Sequence, residues 1–386
     1  MAAAYIVDVV RSAGGRRKGQ LATWHPADLG GAIIDGLLQR IDLDPNIVDD
    51  AIFGCVTQAG EQTFAFARNI VLASQLPNSV PGVTIDRQCG SSQQALHFAA
   101  QAVLSGFQDV VIAGGVESMT RAPMFSNFQL HARADLPADP FSQRIKQRFG
   151  VDGFSQFQGA QMLADKYQIN RAAMDQFALE SHHKAALATQ NKQFSAEIIT
   201  LKQGEKSIDQ DEGIRFDASL DSIAQLQPLQ DGGSITAGNA SQICDGASAA
   251  LIVSERALKQ YGLIPKARII ELTVTASDPV IMLEEPIFAT QKALKRSGLS
   301  LDDIDLYEVN EAFASVPLAW LKTLDADPTK LNIHGGGIAL GHPLGATGTK
   351  LMATLVHALQ HQKKRYGLLT MCEGGGMANV TIVEAC

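Results

Sequence analysis

From Val80 to Ile85 the chain carries β-branched residues at a strand-like spacing. From Ala95 the period changes, and Ala95, Phe98, Ala99, Ala102 and Val103 fall on one helical face. Between them runs Asp86-Arg87-Gln88-Cys89-Gly90-Ser91-Ser92. The pattern predicts a strand, a sharp turn carrying Cys89, and a helix to Leu104. A thiol at a helix start faces unpaired backbone N–H groups and the positive end of the helix dipole, and both favour the thiolate. For a lone cysteine, a buried structural thiol is the default.

The same reading predicts a strand over 5–10, a helix over 26–39, a strand over 48–54 and a helix over 64–74 ahead of this unit. After it, 109–114 is a continuous apolar run, as in a strand buried on both faces, followed by a glycine turn at Gly114-Gly115-Val116-Glu117-Ser118. Residues 119–158 show little periodicity, 159–190 read as helical, and 203–245 are polar and glycine-containing. A short strand over 247–253 and a helix over 255–261 close this stretch. From Lys266 the earlier order returns: strand 267–275, helix 286–297 closed by Gly298, strand 302–309 and helix 310–324. A glycine-rich turn at 341–348 then opens a helix to 362, followed by strand 366–372, the turn Gly374-Gly375-Gly376 and a last strand over 380–383. Two similar α/β halves with an insertion ending the first imply pseudo-twofold packing. The expected division is 1–118 plus 247–265 for the first half, 119–246 for the inserted loop domain and 266–386 for the second half. Active residues of such a pair converge near the junction of the halves.

At 386 residues the chain exceeds one ordinary core. With 46% apolar and 19% charged residues its composition is that of a globular protein, and no apolar run is long enough to span a membrane. The net charge of −8 argues against a general nucleic-acid binder. Cys55, Cys89, Cys244, Cys372 and Cys386 are odd in number and scattered, with no C-x-x-C pair and no zinc spacing. Free thiols in a reducing, cytoplasmic setting are expected, with no metal. The basic start (Arg11, Arg16, Arg17, Lys18) resembles a transit peptide in charge, but Tyr5 to Val10 reads as the first strand.

Four stretches carry candidate chemistry: the Cys89 turn, Asn310-Glu311-Ala312-Phe313, Gly341-His342-Pro343 and Cys372-Glu373-Gly374-Gly375-Gly376. Read singly, His342 caps a helix, Asn310 is an N-cap and Cys372 fills a core. No dinucleotide or Walker pattern accompanies the glycines. In this order and separation, however, the stretches resemble the thiolases, the acetyl-CoA C-acetyltransferases and 3-ketoacyl-CoA thiolases. Gly114-Gly115-Val116-Glu117-Ser118-Met119, Thr236-Ala237-Gly238-Asn239-Ala240-Ser241 and the run from Ile338 to Gly348 match as well.

The resemblance implies an α/β thiolase fold, two pseudo-twofold-related halves in a five-layered αβαβα core with an inserted loop domain. It implies a reversible, ping-pong thiolytic cleavage of 3-ketoacyl-CoA to acetyl-CoA and a shortened acyl-CoA. Cys89 then carries the acyl group, His342 is its base and an oxyanion-hole donor, and Cys372 is the general acid/base. Asn310 holds a water in one oxyanion hole, and the backbone of Gly374 and Cys89 forms the other. Coenzyme A and acyl-CoA are substrates; Ser241, Ala237, Ala312 and Phe313 line the pantetheine path. Arg144, Lys146, Arg148 and Arg215 are candidates for the phosphates. Self-association as a homodimer or homotetramer is expected.

His334 stands where the family usually has Asn, Ser92 replaces a common glycine, and Phe157-Gln158-Gly159 replaces a His-Met-Gly segment. The last departure leans toward longer or bulkier 3-ketoacyl chains. Glu373 is expected in solvent or in a structural hydrogen bond. The alternatives are an acetyl-CoA C-acetyltransferase specific for acetoacetyl-CoA, a decarboxylating ketoacyl synthase, which expects His where Cys372 stands, and a catalytically silent thiolase-like lipid-binding protein.

Overall fold

The computed structural model of the protein describes residues 3–386. In the first half, β1 (Ala4–Arg11), α1 (Pro26–Ile41), β2 (Asp50–Gly54), α2 (Phe66–Leu72), β3 (Gly82–Ile85), α3 (Ser91–Leu104) and β4 (Val110–Ser118) follow one another. The insertion contributes α4 (Gln156–Lys166) and α5 (Arg171–Gln190), and the chain returns as β5 (Cys244–Ser254). The second half repeats the order with β6 (Ala267–Ala276), α6 (Glu285–Ser297), β7 (Leu306–Val309), α7 (Ser315–Leu324), α8 (Thr347–Gln362), β8 (Tyr366–Glu373) and β9 (Met377–Ala385).

The strands lie in the order β7-β8-β9-β6-β1-β5-β4-β2-β3, within a ten-stranded sheet that also includes Gly15–Arg16 beside β5. Each half-sheet mixes parallel pairs (β2–β4, β7–β8) with antiparallel ones (β4–β5, β8–β9). The half-sheets meet edge to edge only where Tyr5 pairs Arg268 and Ile6 pairs Ala267. α3 and α8 lie side by side between them: the Thr349 N–H donates to Ser92 Oγ (3.0 Å), and Gln93 Nε2 reaches Thr381 Oγ1 (2.8 Å) on the second half-sheet. With α1 and α2 outside one half-sheet and α6 and α7 outside the other, this is the five-layered αβαβα arrangement. Both central helices are buried nearly all round, which explains their weak amphipathicity: ten residues of α3 and thirteen of α8 are inaccessible.

Several elements differ from the sequence expectation. Gly114 and Gly115 are not a turn but the middle of β4, which runs unbroken to Ser118. Their reason is close packing. A Cβ on Gly115 would sit 2.0 Å from the Gly345 carbonyl oxygen, and one on Gly114 2.4 Å from that of Ser248. β5 is a long strand, buried over ten of its eleven residues. Residues 310–314 are not helical; α7 begins at Ser315, leaving Asn310 to Phe313 as a loop pressed against the insertion. The helical stretch near 159–190 is two helices, broken at Gln168 with φ 53°. The irregular stretch before it holds short helices, Ser126–Arg133 and Gln143–Phe149.

Candidate active site

The Cys89 turn is built by local hydrogen bonds. Asp86 Oδ1 accepts from the Gln88 N–H (2.7 Å), Gln88 takes φ 48°, and the Ser91 hydroxyl donates to the Gln88 carbonyl (2.6 Å). Ser91 Oγ also accepts from the Arg87 N–H at 2.9 Å. Cys89 is thereby fixed one residue before the N-cap of α3, among Val56, Met119, Leu344 and Met371. The expectation of a favoured thiolate is not met in this environment. Burial, and then the nearby Glu373 carboxyl, push the Cys89 thiol up to about 12, while its own backbone N–H opposes this. Desolvation of a charge outweighs one helix end.

Cys372 lies at the end of β8, buried beside Cys89, with its thiol raised by burial, by Cys89 and by Glu373. Glu373 is fully buried and not in solvent. The Asn379 amide donates to it, and its carboxyl occupies the space where a side chain at position 90 would stand, 1.9 Å from the Cβ that Gly90 lacks. Gly374 is equally close to the turn: its Cβ would lie 2.8 Å from Gln88 Oε1. Cys89, Gly90, Cys372 and Gly374 thus form one contact region made by both halves.

His342 approaches from the loop before α8 and is 3% exposed. Its Nδ1 lies 2.6 Å from Thr347 Oγ1, whose own proton goes to the Pro343 carbonyl (2.8 Å). Thr347 therefore accepts, Nδ1 carries the ring proton, and Nε2 is the basic nitrogen. Nε2 lies 3.4 Å from Asn310 Nδ2, and Asn310 Oδ1 is buried without a protein partner. Burial, then the Lys350 ammonium, lower His342 to about 3, so the ring is neutral. Leu344, two residues on, packs in the same apolar cluster as Cys89.

Three buried groups escaped the sequence reading. Glu117 accepts from the N–H groups of Val56 (2.9 Å), Thr57 (3.0 Å) and Gly345 (2.9 Å), binding a first-half loop to the loop after His342. Glu311 accepts from Ser181 Oγ (2.6 Å), Asn332 Nδ2 (2.9 Å) and the Ile338 N–H (3.1 Å). Thr347 fixes the His342 tautomer. An acidic or hydroxyl residue inside an apolar motif was the only available signal. His334 lies edge-on to Phe194 at 5.9 Å, while Asn332 holds β7 through Val309.

The Ala237–Ser241 stretch docks on the loop before α7. Ser241 N–H donates to the Ala312 carbonyl (2.9 Å), Ala314 N–H to that of Asn239 (2.9 Å), and Ala240 bridges Phe313. Ala312 and Phe313 are buried, Ala237 is exposed, and Phe157 in the first turn of α4 packs edge-on to Phe313 at 5.6 Å. Of the basic candidates, Lys146 is paired with Asp139 (2.6 Å) and Arg148 covers Phe149. Arg215 lines a cavity of about 430 Å³ with Arg16, Phe216 and Gln242. Among the described residues no group of three or more His, Cys, Asp or Glu side chains could hold a metal, and no helix is long and apolar enough to cross a membrane. All five cysteines are unpaired.

Two α/β repeats thus bring two buried cysteines together, with a neutral histidine on the loop whose Leu344 packs in the same apolar cluster as Cys89. The chain belongs to the thiolase family: the thiolase N-terminal domain model matches residues 4–256 and the C-terminal domain model residues 263–385. It is an acyltransferase. It is similar to a steroid 3-ketoacyl-CoA thiolase of Mycobacterium tuberculosis, 50% identical over 386 residues, all of this chain and 94% of that protein. A 3-ketoacyl-CoA thiolase of Photorhabdus laumondii is 41% identical over 98% of both chains. The crystal structure of the Bacillus anthracis acetyl-CoA acetyltransferase superposes with a TM-score of 0.90 at 34% identity, covering 100% of this chain and 99% of that one.

Proposed function

We propose that the protein is a thiolase that cleaves 3-ketoacyl-CoA with coenzyme A, giving acetyl-CoA and a shortened acyl-CoA, and that it acts reversibly through acyl-Cys89. The observation carrying this reading is the meeting of Cys89, Cys372 and Gly374, with a neutral His342 on the loop whose Leu344 packs in the Cys89 cluster. His342 Nε2 takes the Cys89 proton as the sulfur attacks the 3-keto carbon. A thiol and an imidazole that are both neutral at rest suit this, because charge forms only as the bond forms. The resulting alkoxide is stabilised by protonated His342 and by a water held at Asn310. The C–C bond breaks, acetyl-CoA leaves as its enolate, and the Cys372 thiol protonates it. Backbone N–H groups of Cys89 and Gly374 stabilise the enolate or thioester oxygen. Coenzyme A then gives its thiol proton to the Cys372 thiolate and attacks the acyl-thioester, and Cys89 leaves and regains its proton from His342.

The loop domain over 119–246 holds coenzyme A. Ser241, Ala237, Ala312 and Phe313 lie along the pantetheine path, and Arg215 and Arg16 face the phosphates from the cavity they share. The site takes bulky or extended acyl chains. Apolar Phe157 against Phe313, the flexible methionines Met119 and Met124 by Cys89, and the relative named for steroid substrates support this. The acetoacetyl-specific alternative rests on the likeness to the acetyl-CoA acetyltransferase at lower identity. Comparing kcat/KM for CoA-dependent thiolysis of acetoacetyl-CoA and of a long or polycyclic 3-ketoacyl-CoA tests the choice. We expect the larger substrate to be preferred by about tenfold or more, the scale of a few buried methylenes; preference for acetoacetyl-CoA defeats it.

Thr347→Val tests the base. Without its oxygen, nothing fixes the ring proton on Nδ1. Cys89 acylation is expected to slow by about 10- to 100-fold, within the usual contribution of a positioned base, at an unchanged KM for coenzyme A. An unchanged rate removes Thr347 from the mechanism.

A further inference from the structure

The side chain that most directly shapes the His342 loop is not in any of the motifs discussed above. Lys350 lies in the first turn of α8 and is 3% exposed. Its Nζ donates to the Leu340 carbonyl (2.6 Å) and to the Gly341 carbonyl (2.8 Å), the two residues before His342. Gly341 holds φ 79°, a left-handed conformation that L side chains rarely adopt, and a Cβ there would also meet Cys244 Sγ at 2.7 Å. The other side of the loop is clasped by Gln242. Its carbonyl accepts from the His342 N–H (3.2 Å), and its Nε2 donates to the Ile338 carbonyl (2.7 Å).

A buried ammonium is stable only with compensating charge. The charged groups around Lys350 are Asp211, Arg11 and Glu197, with the Cys244 thiol beside them. Asp211 accepts from Arg11 Nη1 (2.7 Å), Arg11 Nη2 (2.9 Å) and the Gly14 N–H (2.7 Å). Glu197 accepts from Arg11 Nε (2.6 Å) and from Thr354 Oγ1 (3.0 Å), one turn beyond Lys350 on α8. Two cations and two carboxylates close the cluster. Asp211, Glu197 and Gln242 all come from the insertion, so the inserted segment is tied to the loop that carries His342.

We propose that Lys350 is a positioning residue for His342: a buried cation that pins the carbonyls of Leu340 and Gly341, the two residues before it, and sets a fixed positive charge behind the loop that carries the ring. This rests on the reading of His342 as the base for Cys89. Two separate consequences follow. Pinning the two carbonyls fixes where Nε2 points, which bears on kcat. The positive charge opposes a second one on the ring, which bears on the pH profile. Burial, and then the Lys350 ammonium, lower the His342 imidazole. Without the ammonium that second influence is lost, the ring titrates at higher pH, and the acid limb of the rate moves up.

The test is the rate of Cys89 acetylation by acetyl-CoA, followed by mass spectrometry against pH, for the full-length wild type, K350M, K350R and H342N. For K350M we expect acetylation slowed by about tenfold or more and an acid limb displaced upward by about half a pH unit or more, with half-saturation by acetyl-CoA within twofold. K350R keeps the charge, and its acid limb is expected to stay with the wild type. If K350M does not fold, K350Q, which retains an N–H donor and loses the charge, takes its place with the same expected displacement. A normal rate in the uncharged variant overturns the proposal, and so does a slowed rate with an unmoved acid limb, which marks plain structural damage. H342N separates the two levels. Full acetylation in H342N removes the base assignment and the Lys350 proposal with it, whereas an inactive H342N beside a normal K350M removes only the latter.

Discussion

Replacing Cys89 by Ala is expected to abolish the acyl-enzyme, with overall turnover reduced by on the order of 10⁵-fold, the scale seen when a covalent nucleophile is lost. The site has no spare thiol able to stand in. Cys372 is buried at a strand end and raised well above its usual range, and Cys55 and Cys244 lie buried outside the apolar cluster that holds Cys89. The fold is expected to survive. Cys89 touches Val56, Met119, Leu344 and Met371, and losing one sulfur from that cluster costs about 1 kcal/mol. A Cys89→Ala protein that melts like the wild type and takes no acetyl group from acetyl-CoA supports the assignment. Undiminished acetylation would falsify it, because the acyl group would then reside elsewhere.

Replacing Cys372 by Ala is expected to split the reaction. Acetyl transfer from acetyl-CoA to Cys89 needs only the nucleophile and its base, so that half-reaction is expected to stay within a few-fold of wild type. Condensation needs a proton removed from the methyl group of the second acetyl-CoA, and it is expected to fall by about 10³-fold, within the range of a positioned acid or base. The environment agrees in sign. Burial, Cys89 and Glu373 all disfavour the Cys372 thiolate, so the group rests as an S–H, ready to protonate an enolate in the cleavage direction. In the reverse direction it first has to lose that proton, which ties its action to the state of Cys89 beside it. Measuring Cys89 acetylation and acetoacetyl-CoA formation on the same preparation checks both halves. Equal losses in both would mean that Cys372 only supports the fold, and normal condensation would remove it from the mechanism.

The repeat was legible in the sequence because each half alternates apolar strands with helices at a spacing that local periodicity records. The ends of α3, α6 and α8 were legible for the same reason, with Gly298 closing α6 in a left-handed conformation as its position suggested. Cys89, Asn310, His342 and Cys372 stood out because each sits at an element boundary. The errors share one cause. Gly114-Gly115 looks like a turn by composition, yet the pair lies inside β4 because Gly345 and Ser248 from distant parts of the chain press against it. Residues 310–314 have helical composition, yet the insertion hydrogen-bonds them through Ser241 and Asn239, and the helix starts only at Ser315.

The sequence by itself determined which residue types stand at the strand ends, and therefore what chemistry was available. Backbone propensity and side-chain identity are local properties. Only the tertiary structure decided how those groups are tuned. The fate of the Cys89 thiol depends on Glu373, which lies 284 positions along the chain yet fills the space beside Gly90. The His342 tautomer depends on which way the Thr347 proton points, and its charge on burial first and then on Lys350. Desolvation and Coulomb interaction act through distance in space and not along the chain. A motif can therefore bring thiols and an imidazole to strand ends and loops, while the packing of two halves sets their protonation.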